Sequence, residues 1–484
     1  MSREAAIDYS PRRKPRESMQ DDRAPKGRKK LESTLNNLPQ SKLRRTRAVF
    51  TLLLLVTSVA SAQDWIRTGT GLGVDKVRLA AADFKAATQD GKNTDLLKTF
   101  NDTLASDLDN AGIFDMVSKS FHPLNIPGQP TELNARDWNA PPPNASMLAF
   151  GNLGVTGDKV QVQGWLYDVK STTTAPQVLG KQYNDNATAD AVRVIAHKFA
   201  DEIIFRLGGG IAGIAESRIY FVSDRSGHKE IWVMDYDGAN QHAVTHLGTI
   251  ALSPRVSPDG SRVAFSANTK TGWDITMYSV ELNRMVAFPH FGGMNFSPSW
   301  SPDGSKLAIS SSRNGYPNIF SMDASGGNLK RLTSGQGPDI SPTWNRKTGA
   351  QLAFVSGRTG LPQIYTMEAD GTNVQRLTDQ GYAVSPNWAP NGQFLTFSWM
   401  RKYGPGEPGS NDLYLMDIAS KQWVQLTHDA GRNDSPCWSP DGRHIVFQSH
   451  RTGTDQIFSM LADGTNVKQL TFSGNNSQPN WTWK

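Results

Sequence analysis

Apolar residues alternate with small or polar residues in short stretches that recur along the second half of the chain. The alternating pairs are Val263/Phe265, Leu307/Ile309, Leu352/Phe354, Leu395/Phe397 and Ile445/Phe447. A period of two places alternate side chains on one side of a β-strand, so each stretch is predicted to be a strand with one buried face. Turn sequences precede four of these stretches: Ser-Pro-Asp-Gly at 257, 301 and 439, and Ala-Pro-Asn-Gly at 389. Pro presets φ in such a turn and Gly accepts a positive φ.

A longer repeat organises these strands. The tetrapeptide Ser-Pro-Xaa-Trp, or a close variant, begins at residues 253, 297, 341, 385, 435 and 478. Units of about 44 residues with four short strands are typical of β-propeller blades. The unit that begins at residue 217 lacks such an inner strand, and the final segment "SQPNWTWK" supplies one. The sequence therefore predicts six blades closed into a ring by the C-terminal strand, with no open sheet edge.

Five of the six inner strands carry a Trp, and the remaining one carries Val256. The Trp residues are Trp300, Trp344, Trp388, Trp438 and Trp481. An aromatic side chain buries about 150–250 Å², and the blades need a core. We therefore expect these residues to pack between blades.

Residues 63–210 are predicted to form a small α/β domain before the propeller of residues 211–484, so the fold class is mainly β with an α/β domain. The segment "DKVRLAAADF" reads as a strand, and further strands flank the turn "TGDK" at 156–159. Apolar residues at helical spacing predict helices over 94–110 and 189–207. Thr94 is expected to cap the first helix, with Gly112 just beyond its end, and Gly208 to Gly210 end the second.

Residues 1–62 are predicted to be a basic leader with an export signal. Residues 1–47 hold 14 Lys/Arg and 6 Asp/Glu, a net charge of +8, whereas the whole chain carries +6, so residues 63–484 carry about −2. The apolar run "AVFTLLLLVTSVASA" follows Arg44, Arg45 and Arg47, and we expect cleavage after Ala62. Because the positive charge belongs to the leader, the high isoelectric point does not indicate a nucleic-acid partner.

Motifs for catalysis or cofactor binding do not occur. The sequence lacks Gly-x-Ser-x-Gly, a phosphate-binding Gly-x-x-x-x-Gly-Lys-Ser/Thr loop, His-Glu-x-x-His and Cys-x-x-Cys. The repeated carboxylates Asp259, Asp303 and Asp441 are predicted to be turn residues, one per blade. The single cysteine, Cys437, is expected to be buried as a small apolar residue. We therefore predict no enzyme activity, no metal and no cofactor.

The order of export signal, α/β domain and six repeats resembles the TolB family, the periplasmic propeller proteins of the Tol-Pal envelope system. The repeat reads "SPxWSPDGxxLAF…IYxMxxDG…LT", and the junction "FADEIIFRLGGGIAGIAESRIYFVSDRSG" is similar to the family's hinge. The resemblance implies a periplasmic, non-catalytic monomer, peripheral to the envelope membranes. It implies that the propeller binds Pal, the peptidoglycan-associated lipoprotein, and that the mature N-terminal segment binds TolA. The family's role implies support of outer-membrane integrity and of constriction at cell division.

The expected TolA-binding residues are Gln63, Asp64, Trp65 and Ile66. A short Gly-rich tail of this kind can add a strand to a sheet or lie in the groove between domains, and a disordered terminus is the other alternative. For Pal, the loops that join an outer strand to the next blade's inner strand surround one mouth of the channel. The expected contact residues there are His290, Phe291, Met294, Phe296, Ile340, Tyr382 and Asn433, since aromatics and Met are favoured at interface centres. An equally weighted alternative is that Phe296 and Ile340 only cover the blade core.

Two other classes of function remain open from the sequence. A propeller lyase or hydrolase would need metal ligands or paired carboxylates in the channel. A carbohydrate-binding propeller would need exposed aromatics at the mouth, for which Tyr382, Phe291 and Trp399 are candidates.

Overall fold

The computed structural model describes residues 70, 72–73, 75–171, 175–401, 410–428 and 430–483. All of them belong to one compact unit that spans residues 62–484. The predicted leader, its cleavage site and the segment Gln63–Ile66 lie outside the described residues. The proposed boundary at residue 210 stays a prediction.

The N-terminal part is one mixed sheet with helices packed against it. Its elements are β1 (Val77–Ala81), β2 (Lys85–Ala86), α1 (Asn93–Asn110), β3 (Phe114–Met116), α2 (Ala135–Asn139), β4 (Met147–Thr156), β5 (Lys159–Asp168), β6 (Gln177–Asn186) and α3 (Ala189–Leu207), with short 3-10 turns at Lys119–Phe121 and Pro130–Glu132. The sheet order is β3-β1-β4-β5-β6, and β2 pairs with β4. Strand β1 is parallel to β3 and β4, whereas β4, β5 and β6 are antiparallel.

The predicted helices and hairpin are present, with two corrections. Helix α1 begins at Asn93 after Lys92, which makes no side-chain cap, so Thr94 lies inside the helix and the predicted Thr94 cap is wrong. Gly112 follows the helix with φ of 74°, as expected. Strand β6 has no counterpart in the prediction, because it is an edge strand whose residues are mostly exposed and lack apolar alternation.

The buried face of each helix matches its apolar spacing. The predicted Phe100, Leu104 and Leu108 of α1 are between 0% and 1% exposed, whereas the predicted Leu97 is only partly buried and Leu96, at 6%, lies on the buried face. On α3 the corresponding residues are Val192, Ile195, Phe199 and Ile203, and all are buried in the same cluster. Thr188 caps α3, its hydroxyl accepting a hydrogen bond from the Ala191 N–H. Among the residues that the structure covers, no helix is both long and apolar enough to cross a membrane.

The rest of the described chain is a closed six-bladed propeller, as predicted. Blade 1 holds β7 (Arg218–Ser223), β8 (Glu230–Asp235) and β9 (His242–Ala243), and blade 2 holds β10 (Ala251–Val256), β11 (Arg262–Thr269), β12 (Gly272–Ser279) and β13 (Arg284–Val286). Blade 3 holds β14 (Asn295–Trp300), β15 (Lys306–Ser311), β16 (Asn318–Asp323) and β17 (Lys330–Arg331), and blade 4 holds β18 (Asp339–Trp344), β19 (Gln351–Ser356), β20 (Gln363–Glu368) and β21 (Gln375–Arg376).

Blades 5 and 6 complete the set. Blade 5 holds β22 (Tyr382–Trp388), β23 (Phe394–Met400), β24 (Asp412–Asp417) and β25 (Trp423–Gln425), and blade 6 holds β26 (Asn433–Trp438), β27 (His444–Ser449), β28 (Gln456–Leu461) and β29 (Lys468–Gln469). The last strand, β30 (Asn476–Trp481), pairs with β7 as the inner strand of blade 1. The ring is therefore closed by strand pairing between the two ends of the propeller sequence.

The inner-strand Trp residues pack between blades, as predicted. Trp388 and Trp438 are 0% exposed and Trp481 is 1% exposed. Trp388 contacts a cluster that includes Val355 and Ile364 of the preceding blade. Each Trp therefore belongs to the core between two blades.

Candidate partner-binding face

The propeller has two ends of different construction. Each inner strand runs from the loop that enters the blade to the Pro-Asp-Gly or equivalent turn at the other end. We call the end with the entry loops the mouth face and the end with those turns the turn face. The predicted Pal-contact residues lie in entry loops or at the start of inner strands, so all of them map to the mouth face.

A backbone irregularity shapes every inner strand near the mouth. The first residue of each tetrapeptide has a positive φ of 52° to 54°: Ser253, Ser297, Ser341, Ser385, Ser435 and Gln478. The ladder register shifts at the same point, as in Leu252/Arg255 of blade 2. Non-glycine residues adopt this conformation rarely, but the following Pro has no N–H to pair, which suits a bulge. The six bulges line a cavity of about 100 Å³ in the channel.

The first position of several inner strands is a buried Asn or Asp that ties the entry loop down. Asp339 is 0% exposed and accepts hydrogen bonds from Arg358 Nη2 at 3.0 Å on both carboxylate oxygens. Asn433 is also 0% exposed, and its Oδ1 accepts bonds from Ser449 Oγ at 2.8 Å and Arg451 Nη2 at 3.1 Å. We call these two groups the mouth clamps, since charge-assisted bonds of this kind fix a loop strongly.

Asn433 therefore differs from its predicted role. Its side chain is enclosed and its hydrogen-bonding atoms face protein atoms, including Asn411 O and Gly431 O. It positions the loop and presents no surface to a partner. In four of the six blades an Asn or Asp stands two residues before the Ser-Pro or Gln-Pro pair, as in "PDISP" and "RNDSP", and this is the signal that could have revealed this role.

The other predicted contact residues are distributed between surface and core. Met294 is 49% exposed. The His290 side chain is also 49% exposed, and its Nδ1 pairs with the buried carboxylate of Asp274. Phe291 is half-buried against Phe288, with ring centroids 5.9 Å apart, and Ile340 packs on the core of blades 4 and 5. Phe296 and Tyr382 are half-buried.

Four exposed apolar residues of the mouth face escaped the sequence reasoning. They are Ile250 at 38%, Tyr316 at 62%, Leu361 at 42% and Phe472 at 76% exposure. Phe472 stands where the other repeats carry a polar residue after "LT", such as Asp379 after Thr378. Tyr316 and Leu361 occupy the same turn position in neighbouring blades, each before a Pro. Comparison of the repeats position by position could have found all but Ile250.

Trp399, a candidate for sugar binding, belongs to an aromatic cluster. Its ring lies 5.1 Å from those of Tyr414 and Trp423, and its Nε1 donates to Gln380 O at 2.8 Å. Among the described residues no group of three or more His, Cys, Asp or Glu is arranged to hold a metal ion. The turn prediction for the repeated carboxylates is confirmed: Ser257 Oγ donates to Asp259 and Ser301 Oγ to Asp303, at 2.5 and 2.6 Å.

The turn face of blades 1 and 6 contacts the N-terminal part through polar groups. Asp107 of α1 binds His197 Nδ1 at 2.7 Å and accepts a bond from the Tyr236 hydroxyl of blade 1 at 2.5 Å. Burial raises the pKa of Asp107 despite these bonds. From blade 6, Arg443 Nη2 donates to Gly208 O at 2.9 Å, and a ring nitrogen of His444 lies 2.7 Å from Asn110 O.

The linker after α3 is held by one carboxylate. Asp201 accepts hydrogen bonds from the N–H groups of Ala215 at 3.0 Å and Glu216 at 3.3 Å. Burial raises the pKa of Asp201 to about 6, which outweighs the opposing effect of the two bonds. A cavity of about 900 Å³ opens beside this linker, bounded by Phe205, Ile211 and Trp483 among others.

Leu72, six residues after the predicted TolA-binding segment, lies between the two parts. Leu72 is 8% exposed and belongs to the apolar cluster of blades 5 and 6. A Cβ placed on Gly112 would lie 3.2 Å from Leu72 and 2.9 Å from Leu461. The sequence left open whether this segment adds a strand or occupies a groove, and the position of Leu72 is that of a groove.

Fold and faces together define a two-part propeller protein, a six-bladed ring joined to an N-terminal α/β region. The family model described as "TolB beta propeller domain" matches residues 206–405 and 380–484, and that described as "TolB amino-terminal domain" matches residues 70–175. The chain therefore belongs to the TolB family.

Individual relatives agree with this assignment. A Tol-Pal system protein TolB from Ruegeria sp. is 36% identical over 292 residues, which is 58% of this chain and 64% of the relative. One from Cereibacter sphaeroides is 33% identical over 225 residues, 46% of this chain and 49% of the relative. The chain thus matches between about half and two thirds of these relatives' lengths. The crystal structure of TolB from Acinetobacter baumannii has the same fold, with a TM-score of 0.69 and 24% identity over 84% of this chain and 97% of that one.

Proposed function

We propose that this protein is a non-catalytic, protein-binding component of the Tol-Pal envelope system in the periplasm. The mouth face would dock the peptidoglycan-associated lipoprotein Pal, and the segment Gln63–Ile66 would bind TolA once the signal is cleaved after Ala62. By this means the protein would support outer-membrane integrity and constriction at cell division. Membership of the TolB family supports the assignment to the system, and the relatives' names are those of Tol-Pal proteins.

The observation that carries the Pal proposal is the set of apolar side chains exposed on the mouth face. The set comprises Ile250, Met294, Tyr316, Leu361 and Phe472. Large exposed apolar side chains that share one face of a protein favour a protein-binding surface, and aromatics and Met are enriched at interfaces. We therefore place the five residues, together with His290, Phe291, Phe296, Ile340 and Tyr382, in the proposed docking surface.

Rigidity of the entry loops supports the same proposal. The mouth clamps hold the loops of blades 4 and 6 through buried Asp339 and Asn433. A loop that is already fixed loses less conformational entropy on binding, so more of the contact energy appears as affinity. The mouth clamps would therefore favour binding by holding the entry loops of the mouth face in one conformation.

The groove position of Leu72 supports the TolA proposal. Leu72 lies against blades 5 and 6, and the proposed TolA-binding segment precedes it in the chain by six residues. A ligand that engages that segment would act next to the contact between the two parts. The proposal commits to the groove and not to strand addition.

The test compares two exposed apolar residues at opposite ends of the propeller. Met294→Ser, on the mouth face at 49% exposure, is expected to weaken binding of purified Pal about tenfold in calorimetric titration. Leu282→Ser, on the turn face at 54% exposure, is the matched control and should leave the affinity unchanged. Equal effects of the two substitutions, or no binding of Pal to the wild type, would reject the mouth face as the docking surface.

The TolA arm uses the mature chain with and without residues 63–66. We expect loss of TolA binding in the shortened chain and retention of Pal binding, measured on the same preparations. Retained TolA binding would remove these four residues from the proposal and leave the Pal assignment intact.

A further inference from the structure

Two arginines break the repeat, and both lie in the central channel. In five blades the residue before the inner-strand Trp is uncharged. In blade 2, where Val256 takes the place of the Trp, the preceding residue is Arg255. The residue that is Pro in the turns of blades 2, 3, 5 and 6 is Arg346 in blade 4. The two departures occur at different positions of two different repeats, yet they bring two guanidinium groups to one cavity.

Arg255 lies at the boundary between two cavities of the channel. It lines the mouth-side cavity of about 100 Å³ together with the six bulges. It also lines a smaller cavity of about 30 Å³ nearer the turn face, which Arg346, Cys437 and Trp483 line as well. The guanidinium carbon of Arg346 lies 4.1 Å from the Trp483 ring centroid, so this pair occupies the turn-face end of the channel.

The positive charges have few partners. Arg255 Nη1 donates to its neighbour Pro254 O at 2.8 Å, and Arg346 Nη1 donates to Trp438 O at 3.1 Å. The Nε of Arg346 is buried without a hydrogen-bond partner. Among the residues that the structure describes, no carboxylate lines either cavity. Each guanidinium offers five N–H donors, and a single carbonyl uses one of them.

The positive charges of Arg255 and Arg346, with no carboxylate among the described residues that line the cavities, indicate a binding site for an anion. Burial lowers the pKa of Arg255, and it lowers that of Arg346 to about 10. A guanidinium remains charged at neutral pH in proteins. Two like charges that line one channel without a counter-charge are costly.

We propose that the channel binds a small oxyanion, of the phosphate or carboxylate type, between Arg255 and Arg346. The guanidinium forks match the oxygens of such an anion in geometry. Asn387 also lines the smaller cavity, and since its Oδ1 accepts from the Trp438 N–H at 3.1 Å, its NH₂ group is left as a donor to the anion. The mouth-side cavity provides the entry path, because Trp483 and Arg346 occupy the other end.

The test titrates inorganic phosphate into the full mature chain at constant ionic strength. Wild type is expected to bind phosphate with a saturating calorimetric signal and a saturating rise of the thermal midpoint. Arg255→Met and Arg346→Met are each expected to raise the phosphate Kd about tenfold or more, since each removes charge-assisted hydrogen bonds. Arg284→Met, at an exposed residue of β13, is the matched control and should retain the wild-type Kd.

A second measurement is the thermal unfolding midpoint of each variant in phosphate-free buffer. Removal of an unpaired buried charge is expected to leave the midpoint of either channel variant equal to or higher than that of wild type. Should a Met variant fail to fold, Arg346→Lys keeps the charge and loses the fork, and a raised phosphate Kd is again expected. The proposal is overturned if wild type shows only the unsaturable rise that phosphate gives all proteins by exclusion from their surface, equal in the control and channel variants.

Two sources can supply such an oxyanion, namely a binding partner that carries a carboxylate and a free ion in solution. A competition experiment distinguishes them. If the oxyanion is a carboxylate carried by a partner, phosphate weakens Pal binding to wild type and not to Arg255→Met. If it is a free ion, phosphate leaves Pal binding unchanged. This last arm depends on the proposed docking of Pal, whereas the phosphate titration stands without it.

Discussion

The mouth face and the turn face are built from the same repeats, yet they end the strands in opposite ways. At the turn face, residues such as Asp259 and Asp303 close each turn on itself through Ser hydroxyls, and blades 1 and 6 are covered by the N-terminal part. At the mouth face, the buried polar groups of the mouth clamps lie inside the blades, and large apolar side chains such as Tyr316 and Phe472 are exposed to solvent. The turn face also exposes apolar residues, among them Leu282, Val374 and Val467 of the outer hairpins.

This difference teaches that the repeat specifies the architecture and the departures from it specify the surfaces. Each blade needs its Trp, its bulge and its turn to close the ring. The positions that vary between blades, such as the residue after "LT", are free to carry a binding surface. A change in a shared element should therefore affect stability at both ends, and a change at one end should affect that end alone.

The largest effect is expected for the core that both ends share. Trp388→Ala should lower the free energy of unfolding by about 3–5 kcal/mol, since the side chain is fully buried between blades. The loss is measured by urea unfolding monitored by far-UV circular dichroism, a signal that does not rely on tryptophan fluorescence. Phe472→Ala, at a residue 76% exposed, is the control with an expected loss of about 0.5 kcal/mol. Similar urea midpoints in Trp388→Ala and wild type would contradict the packing role.

A smaller effect should separate the two ends. Asp339→Ala at the mouth face leaves Arg358 without its carboxylate and is expected to destabilise by about 2–3 kcal/mol. Asp303→Ala at the turn face removes bonds from Ser301 Oγ and the Ser305 N–H, with an expected loss of about 1 kcal/mol. Both are measured by the same urea titration. If Asp303→Ala proves the more costly change, the contrast between clamp and turn is wrong.

The smallest effect concerns the linker and depends on pH. The pKa of Asp201 is about 6 in the folded protein and about 3.9 in an unfolded chain. A raised carboxyl pKa means that the folded state holds the proton more tightly, so its contribution to stability is fully present below about pH 4 and is lost as pH rises through about 6.

We therefore compare wild type with Asp201→Asn, which cannot ionise. The stability of wild type relative to this variant should fall by about 1–2 kcal/mol between pH 4 and pH 7, a value reduced for the partial exposure of the side chain. Urea unfolding at the two pH values gives the difference. A difference that stays constant over this range would show that Asp201 titrates normally in the folded state.

Much of the fold was predictable because the signals repeat. Six occurrences of one tetrapeptide outweigh the ambiguity of any single strand, and the missing inner strand of blade 1 predicted the closure by residues 476–481. Elements that occur once were less secure. Strand β6 has no alternating pattern since it is an edge strand, and the start of α1 depends on backbone geometry around Asn93, which side-chain preferences do not determine.

The candidate face was predicted in part, for a physical reason. The positions of His290 and Met294 in an entry loop predicted that both residues lie at the channel mouth, because entry loops surround it. Exposure depends on hydrogen bonds made across blades, which is why Asn433 turned out to be buried. Arg255 and Arg346 escaped attention because neither belongs to a chemical motif, and only the ring brings their side chains to one channel.

Closure by β30 has a consequence for synthesis of the chain. The strand that completes blade 1 pairs Trp481 with Ile219, so the sheet of blade 1 can form only after residues 476–481 have been made. Contacts between residues so distant in sequence form slowly. Until β30 has paired with β7 the ring is open, and removal of residues 476–481 would leave blade 1 without its inner strand.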